Sequence, residues 1–290
     1  MSKRLSAVDP AQQAAAAAKQ AATHAGVRVV DLNDIEALHE ASRLFNHVWS
    51  TPEEKPLISS SILRALSHSD NFVAAAYDGD QIVGAAVGFL GFNRGSIHLH
   101  SHITGVSSSL QGKSVGYALK QHQRAWALAR GIGLVTWTFD PLVRRNAFFN
   151  ITKLGASMTR YYQGFYGEMN DGINDEETDR VLVEWDLDSA PATEASISRL
   201  PEPDIAALEG AGASVALTIG DDDEPLEQPV TGDIVLARVP EDIVELRHRD
   251  EDLAHRWRLA LRDVLSASLS DGYVTTAMSR SGYYVLQRRT

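Results

Sequence analysis

The segment from Ile97 to Ala118 holds the residues whose types and spacing are best suited to chemistry. An apolar, strand-like stretch leads through a short polar loop into a turn, and a helix follows. The turn consists of Gln111, Gly112, Lys113, Ser114, Val115 and Gly116. Glycines allow close approach to the backbone, and the first amide groups of a new helix lack partners within the helix. A phosphate or pyrophosphate is the natural occupant, because the helix dipole favours an anion there.

Three histidines, His98, His100 and His102, alternate along the strand-like stretch before the turn. If the strand is regular, all three point to one of its faces. Imidazole groups beside an anion site indicate an enzyme with a phosphorylated cofactor, because histidine exchanges protons near neutral pH. Two alternatives stay open. The three histidines bind a metal together with an acidic residue from elsewhere, or His98 and His102 are structural and hydrogen-bonded inside a sheet.

The turn resembles that of the GNAT acyltransferase superfamily, whose strand, loop and helix carry a Q/R-x-x-G-x-G/A signature for acyl-coenzyme A (acyl-CoA). Gln111 and Gly116 fit this pattern, and Ser114 stands where the first glycine is expected. A serine is small enough to leave room for the backbone and the pyrophosphate together. A longer agreement, from HLHSHITGV to WTFDPLVRRNAFFNITKLGA, is similar to an uncharacterised bacterial and archaeal subgroup of this superfamily.

The order of predicted elements is that of the GNAT fold, so the resemblance implies an α/β (α+β) domain. Its mixed, mostly antiparallel sheet is flanked by helices. Hydrophobic periodicity, capping residues and turn residues place the elements. The predicted strands are Val27–Leu32, Asn71–Tyr77, Gln81–Phe92, the histidine stretch, Leu134–Phe139, Tyr161–Tyr166 and Val181–Leu187. The predicted helices are a segment capped by Asn33 or Asp34 and reaching Trp49, then Ser59–Ser67, Ser114–Arg130 and Arg144–Leu154.

The resemblance and changes in composition divide the chain into four parts. Residues 1–26 form an alanine-rich helix, and residues 27–187 form the acyltransferase domain. Residues 188–230 are rich in Asp, Glu, Pro, Ala and Ser, which predicts a solvated acidic linker. Residues 231–290 predict a β-α-β-β extension, and this piece has too few elements for an independent domain. We expect it to pack on the core or to form the interface of a homodimer.

Composition excludes several classes of protein. The chain has no cysteine, which rules out disulfides, thiolate catalysis and cysteine-based zinc sites. A formal net charge of −11 argues against broad nucleic-acid binding. No stretch approaches the length of apolar sequence that spans a membrane. The sequence therefore predicts a soluble cytoplasmic protein with no membrane or nucleic-acid partner.

The resemblance also implies catalytic roles. In this family the base often lies six residues ahead of a pantetheine-contacting residue, and counting back from Val106 gives His100, with His102 as a second candidate or a proton carrier. The ordinary imidazole pKa, near 6.5, needs little tuning for this task. Many members carry a tyrosine four residues before the glycine that ends the last helix, and this tyrosine protonates the leaving thiolate as the general acid. Ile151 occupies that position here. A water molecule is one alternative acid, and the others are Tyr117, Tyr161, Tyr162 and Tyr166.

Contacts with the acyl-CoA follow from the same resemblance. Thr104 and Val106 end the histidine strand and contact the pantetheine, and the segment from Gln111 to Tyr117 binds the pyrophosphate. A second group falls where the family's last helix meets the pantetheine and phosphates, and it consists of Arg145, Asn146, Phe149 and Asn150. The two asparagines are four residues apart, so in a regular helix they reach one groove.

The activity implied by the resemblance is N-acylation of a small amine, with acetyl-CoA or another short acyl-CoA such as succinyl-CoA as co-substrate. No metal is expected. An amino acid is the candidate acceptor, because the subgroup looks like enzymes that act on amino-acid amines. Two alternatives stay open. One is acylation of a protein or of an aminoglycoside-like amine, and the other is a non-catalytic sensor that binds acyl-CoA, which the missing tyrosine allows.

Overall fold

The computed structural model describes residues 9–93, 95–167, 178–197 and 200–289. The predicted α/β class, with sheets flanked by helices, is confirmed. The helices are α1 (Pro10–Ala25), α2 (Ile35–Trp49), α3 (Ser60–His68), α4 (Val115–Ala129), α5 (Arg144–Ala147), α6 (Ala190–Ile197), α7 (Ile205–Gly210), α8 (Ile243–Arg249) and α9 (Glu251–Ser270). The strands are β1 (Arg28–Asp31), β2 (Phe72–Asp78), β3 (Gln81–Asn93), β4 (Ser96–Val106), β5 (Leu134–Phe139), β6 (Ser157–Tyr162), β7 (Arg180–Asp186), β8 (Ser214–Ile219), β9 (Pro225–Glu227), β10 (Ile234–Arg238), β11 (Tyr273–Met278) and β12 (Tyr283–Arg288).

By its internal contacts the chain divides into two compact units. The first unit comprises Met1–Thr136 and Asp186–Asp188, and the second comprises Trp137–Trp185 and Ser189–Thr290. The division falls inside β5. The domain boundaries inferred from composition and resemblance, at residues 27, 187 and 231, therefore stay a prediction.

In the first unit, strands β1 to β5 are neighbours in chain order. The pairings β1–β2, β2–β3 and β3–β4 are antiparallel, whereas β4 and β5 run parallel. Helices α2 and α3 contribute apolar side chains to a buried cluster with the sheet, which includes Leu38, Phe45, Leu63, Val87 and Ile103. This packing fixes one face of β3 and β4 against α2 and α3.

Strand β4 is not regular, because its stretch paired with β3, Ser96–Val106, has one more residue than the opposing stretch of β3, Gly84–Asn93. Ser101 pairs with Gly88 and Ile103 pairs with Val87, so His102 is the extra residue of a β-bulge. Ile103 packs into the cluster with α2 and α3, while the hydroxyl of Ser101 accepts a hydrogen bond from α4. Residues two apart therefore lie on opposite faces. Because of the bulge, β4 is not regular along the three histidines, so strand alternation alone does not place all three on one face.

Helix α1 packs along α4 through its alanines. Ala14, Ala17, Ala18 and Ala21 recur on one side of the helix and are buried, and the small side chains allow the two helices to approach closely. Asp9 caps the helix, and Gly26 ends it in the left-handed conformation, with φ of 68°. Along the part of the chain that the structure describes, no helix is long and apolar enough to cross a membrane.

The second unit contains a five-stranded sheet in the order β11-β12-β10-β8-β9. Strands β8 and β9 and helices α6 and α7 lie in residues 188–230, so the expectation of a solvated linker there is wrong. The acidic run Asp221–Glu224 occupies only the connection between β8 and β9, while Ala216 and Leu217 are fully buried. The prediction failed because the composition was averaged over the whole segment, in which the short apolar strand β8 is a small part.

Strand β6 also differs from its predicted position. It spans Ser157–Tyr162, rather than Tyr161–Tyr166, and pairs antiparallel with β7. Gly164 has a positive φ of 52°, and the amide of Phe165 donates to the carbonyl of Thr178. The chain therefore turns after Tyr162, because glycine readily adopts this conformation.

A buried ion cluster ties α8 and α9 to the end of β5. Arg258 donates to both carboxylate oxygens of Asp140, at 2.7 and 2.8 Å, and Arg247 donates at 2.6 Å. Burial raises the pKa of Asp140, but the hydrogen bonds and charges of Arg258 and Arg247 outweigh burial and lower it to about 2. Losing the carboxylate would remove the negative charge that lies between two guanidinium groups.

We expect Asp140→Asn to lower the free energy of unfolding by about 3–5 kcal/mol, because it removes the negative charge between two arginines and retains the shape of the side chain. The matched control is Asp223→Asn, since the ion pair of Asp223 with Arg249 is exposed and should contribute less than about 1 kcal/mol. Urea unfolding followed by circular dichroism measures both changes. Equal, small losses of unfolding free energy in the two variants would show that the buried cluster does not stabilise the packing of α8 and α9.

Candidate active site

The first turn of α4 presents amide groups that no capping side chain engages. Ser114 precedes the helix in the left-handed conformation, with φ of 65° and ψ of 10°, and its hydroxyl makes no capping hydrogen bond. Helices α1, α2 and α9 differ, because each begins at an aspartate whose carboxylate accepts from first-turn amides. Within the described residues, the amide groups of Val115 and Gly116 thus stay available to an anion.

Backbone conformation explains the residue types in the turn. Gly112 has φ of 84°, which favours glycine, and Ser114 adopts a conformation that costs an L-residue about 1–2 kcal/mol. The amides of Gln111 and Lys113 donate within the loop, to the carbonyls of Ser108 and Leu110. The turn is therefore held by its own hydrogen bonds, and the amide groups left to an anion are those of Val115 and Gly116 at the start of the helix.

Space beside Gly116 is open. A Cβ built there would meet only Cγ2 of Val106, at 3.8 Å, which is ordinary contact. Val106 pairs with Gly84, whose own Cβ would meet Val115 and Leu119 of α4 at 3.1 Å. Val106 therefore lies on the face of β4 that α4 covers. Thr104, two residues earlier, follows the same side of the strand after the bulge.

Two of the three histidines form a cluster with Phe89. The ring centroid of Phe89 is 5.0 Å from that of His100 and 5.8 Å from that of His102, and the two imidazoles are 6.3 Å apart. Nδ1 of His100 is 3.2 Å from the hydroxyl of Thr136 on β5. His98 lies apart, with its ring so close over Gly91 that a Cβ there would approach within 2.6 Å. His98 is therefore a packing residue.

The bulge changes the relation between His100 and Val106. His100 pairs with Phe89, next to the pair of Ser101 with Gly88 that faces α4. Neighbouring pairs alternate between faces, so His100 lies on the face opposite to α4. An offset of six residues would put two side chains on the same face of a regular strand, but the extra residue reverses this.

Burial alters the acid–base properties of both imidazoles. Burial is the largest cause that lowers the pKa of His100, and the charges of His102, His98 and Lys120 add to it, giving about 4. Burial also lowers the pKa of His102. The expectation that His100 keeps an ordinary pKa near 6.5 therefore differs from the structure. His100 is therefore neutral at physiological pH and can accept a proton, but its imidazolium form is more acidic than an ordinary imidazolium.

The tyrosines predicted as candidate acids have different surroundings. Tyr117 lies half-buried in the first turn of α4, where burial raises its pKa and the charge of Arg124 opposes the rise. In the second unit, the hydroxyl of Tyr161 donates to the carboxylate of Asp179 at 2.6 Å, which with burial raises the pKa of Tyr161. The rings of Tyr162 and Tyr166 both pack against Phe165 in the same unit.

The second group of predicted cofactor contacts belongs to the second unit. The predicted helix over Arg144–Leu154 begins as α5 and continues as a π-helical turn, Phe148–Lys153. Arg145 and Asn146 are exposed, Phe149 is half-buried, and Asn150 is only 5% exposed. The two asparagines therefore do not share one environment, because the wider turn breaks the i, i+4 relation of an α-helix.

Lys120 is a residue near the site that the motif did not reveal. Its side chain is 4% exposed, and its Nζ donates to Oγ of Ser101 at 2.8 Å and to Oε1 of Gln123 at 3.0 Å. It lies four residues after Gly116, so helical spacing alone places it on the face of α4 that meets β4. Within the described residues, no group of three or more His, Asp and Glu side chains could hold a metal ion.

The family comparison gives one match. Residues 34–155 match the family described as acetyltransferase (GNAT) family. This range runs from the cap of α2 to the glycine after the π-helical turn, and it includes β4 and the first turn of α4. A search of curated proteins found no match.

Solved structures give matches at low identity. An acetyltransferase of the GNAT family from Streptococcus pneumoniae is 12% identical, with 55% of this chain and 97% of that chain covered and a TM-score of 0.45. The ribosomal-protein-S18-alanine N-acetyltransferase from Escherichia coli is 12% identical, with 57% and 96% covered and a TM-score of 0.46. An aminoglycoside acetyltransferase from an uncultured soil metagenomic sample, in complex with sisomicin, is 20% identical, with 40% and 78% covered and a TM-score of 0.36. No residue role follows from these likenesses.

Proposed function

We propose that the chain is an N-acyltransferase acting on the amine of a small molecule, because residues 34–155 match the acetyltransferase (GNAT) family. The observation that carries the proposal is the uncapped first turn of α4 directly after a strand with two clustered imidazoles. An anion site and a proton acceptor on adjoining elements are what transfer from an acyl-CoA requires.

The acyl-CoA is proposed to bind at the start of α4. The amide groups of Val115, Gly116 and Tyr117 would hold the pyrophosphate, supported by the turn from Gln111 to Ser114. Thr104 and Val106 would lie against the pantetheine, and Lys113 is an exposed cation at the turn. The open space beside Gly116 fits the close approach of a phosphate group. Arg145, Asn146, Phe149 and Asn150 stay proposed contacts.

Proton removal is the task proposed for the imidazoles. A bound acyl-CoA supplies the acyl group as a thioester, and the acceptor must present a neutral amine to the carbonyl carbon. A lysine-like ammonium loses its proton at pH 7 at a cost of roughly 4 kcal/mol, because its pKa lies about three units higher. His100 takes the proton of the amine as the carbon–nitrogen bond forms, and His102, which is more exposed, passes it to solvent.

The leaving group requires little help. The electron pair of the breaking carbon–sulfur bond stays on sulfur, and a thiolate is only weakly basic at neutral pH. A water molecule or the hydroxyl of Tyr117 is the proposed proton donor. Because the hydroxyl of Tyr161 is bonded to Asp179, Tyr161 is a weaker candidate.

The acceptor is proposed to be an amino acid, and the acyl group acetyl or succinyl. Both proposals come from the resemblance of the stretch from HLHSHITGV to WTFDPLVRRNAFFNITKLGA to an uncharacterised subgroup that looks like enzymes acting on amino-acid amines. A non-catalytic acyl-CoA sensor is the second candidate, favoured by Ile151 at the position of the family's tyrosine. Release of thiol from acetyl-CoA or succinyl-CoA in the presence of amines supports the enzyme, and binding without release supports the sensor.

Gly116→Asp should weaken the binding of acetyl-CoA at least tenfold, about 1.4 kcal/mol, as measured by calorimetry. The new carboxylate would approach the first-turn amides and repel a phosphate there. The control is Gly116→Ala, because the structure leaves room for a Cβ and alanine favours a helix. Equal affinity in wild type and in folded Gly116→Asp would contradict the proposed phosphate site.

His100→Gln should lower kcat by roughly 10²–10⁴ and leave acyl-CoA binding nearly unchanged, since glutamine keeps polarity but accepts no proton near neutral pH. In wild type, the acidic limb of kcat/KM should lie near pH 4, where His100 takes up a proton, and it should vanish in the variant.

The matched variant is His102→Gln, for which we expect a smaller loss, because His102 is the more exposed imidazole of the pair. If His102→Gln loses most of its kcat and His100→Gln does not, the base is His102. Normal turnover in both variants would exclude both histidines as the base.

A further inference from the structure

Lys120 is a buried cation that the proposed chemistry does not use. It is 4% exposed in the middle of α4, and burial lowers its pKa to about 7. Lysine is among the residues least often buried, because removing an ammonium group from water is costly. A lysine kept in such a position therefore requires a reason beyond packing.

The hydrogen bonds of Lys120 lead to the bulge in β4. Its Nζ is 2.8 Å from Oγ of Ser101, the residue between His100 and His102. Ser101 is also where the pairing of β4 with β3 shifts register. The second bond of Nζ, to Oε1 of Gln123 at 3.0 Å, anchors the ammonium group to its own helix. The lysine thus connects α4 to the strand position that lies between the two imidazoles.

Lys120 also bears on His100 electrostatically. The titratable groups that act on His100 are His98 and His102 on its own strand and Lys120 on α4. The neighbours from the adjoining strands, Phe89 on β3 and Thr136 on β5, carry no charge. A positive charge behind β4 disfavours a second positive charge on the imidazole.

We propose that Lys120 is a positioning residue for acyl transfer: its ammonium group, held between Ser101 and Gln123, fixes the bulge of β4 and adds to the burial that keeps the imidazole of His100 neutral. The catalytic part of this inference rests on the proposed function. The effect on the protonation of His100 does not, because it exists in the free protein.

The test is a titration of the ligand-free full chain carrying histidine labelled with ¹³C at Cε1, followed by NMR, with the His100 signal assigned from its loss in His100→Gln. Lys120→Met should move the His100 midpoint upward by about half a pH unit or more, because the positive charge is removed. Lys55→Met removes an exposed lysine and should leave the midpoint unchanged. If Lys120→Met does not fold, Lys120→Gln serves for the same reading.

A second variant separates position from charge. Ser101→Ala removes the oxygen that Nζ contacts and keeps the lysine, so it should lower kcat at least tenfold, with the KM for acyl-CoA nearly unchanged and a smaller change in the His100 midpoint. An unchanged His100 midpoint in Lys120→Met, with only a lower melting temperature, would overturn the electrostatic role. Full kcat in Ser101→Ala would overturn the positioning role. A wild-type protein without turnover would overturn the proposed function, and the titration would still decide the effect of Lys120.

Discussion

Strand β4 contacts α2 and α3 on one face of its sheet and α4 on the other, and the extra residue at His102 sets which side chains lie on each face. Before the bulge, Ser101 meets α4 and His100 lies on the opposite face, whereas after the bulge Ile103 packs with α2 and α3 and Val106 meets α4. A regular strand would have put the histidines and Val106 on one face. The bulge instead separates the proposed proton acceptor from the surface beside the helix terminus, while keeping both within one short strand.

Several features that cost folding free energy lie close to this strand. The N-terminus of α4 lacks the capping side chain that α1, α2 and α9 possess, Ser114 adopts a conformation typical of glycine, and Lys120 is buried. Each departure costs folding free energy, and proteins retain such costs where they serve a function. The second unit shows the opposite arrangement, because Asp140 is fully matched by Arg247 and Arg258. This buried carboxylate is matched by its neighbours and explains stability rather than chemistry.

The sequence predicted most elements of the first unit, because their signals are local. Asp34 caps α2, the Asp78-Gly79-Asp80 turn joins β2 to β3, and the signature turn precedes α4. It did not predict the bulge, since an extra residue is defined only by the pairing with β3, or the pKa of His100, which depends on burial and on Lys120. It also missed β8, whose short apolar run borders an acidic turn, the short strand β9 after that turn, and the π-helical turn that contains Asn150.

The amide groups of Val115, Gly116 and Tyr117 are proposed to bind the pyrophosphate of acyl-CoA. Backbone amide NMR of the deuterated, ¹⁵N-labelled full chain, recorded with and without coenzyme A, tests this proposal most directly. These three signals should show the largest shifts with coenzyme A and should stay in place with pantetheine, which carries no phosphate. If saturating coenzyme A leaves all three signals unmoved, the proposed pyrophosphate site at the start of α4 is wrong.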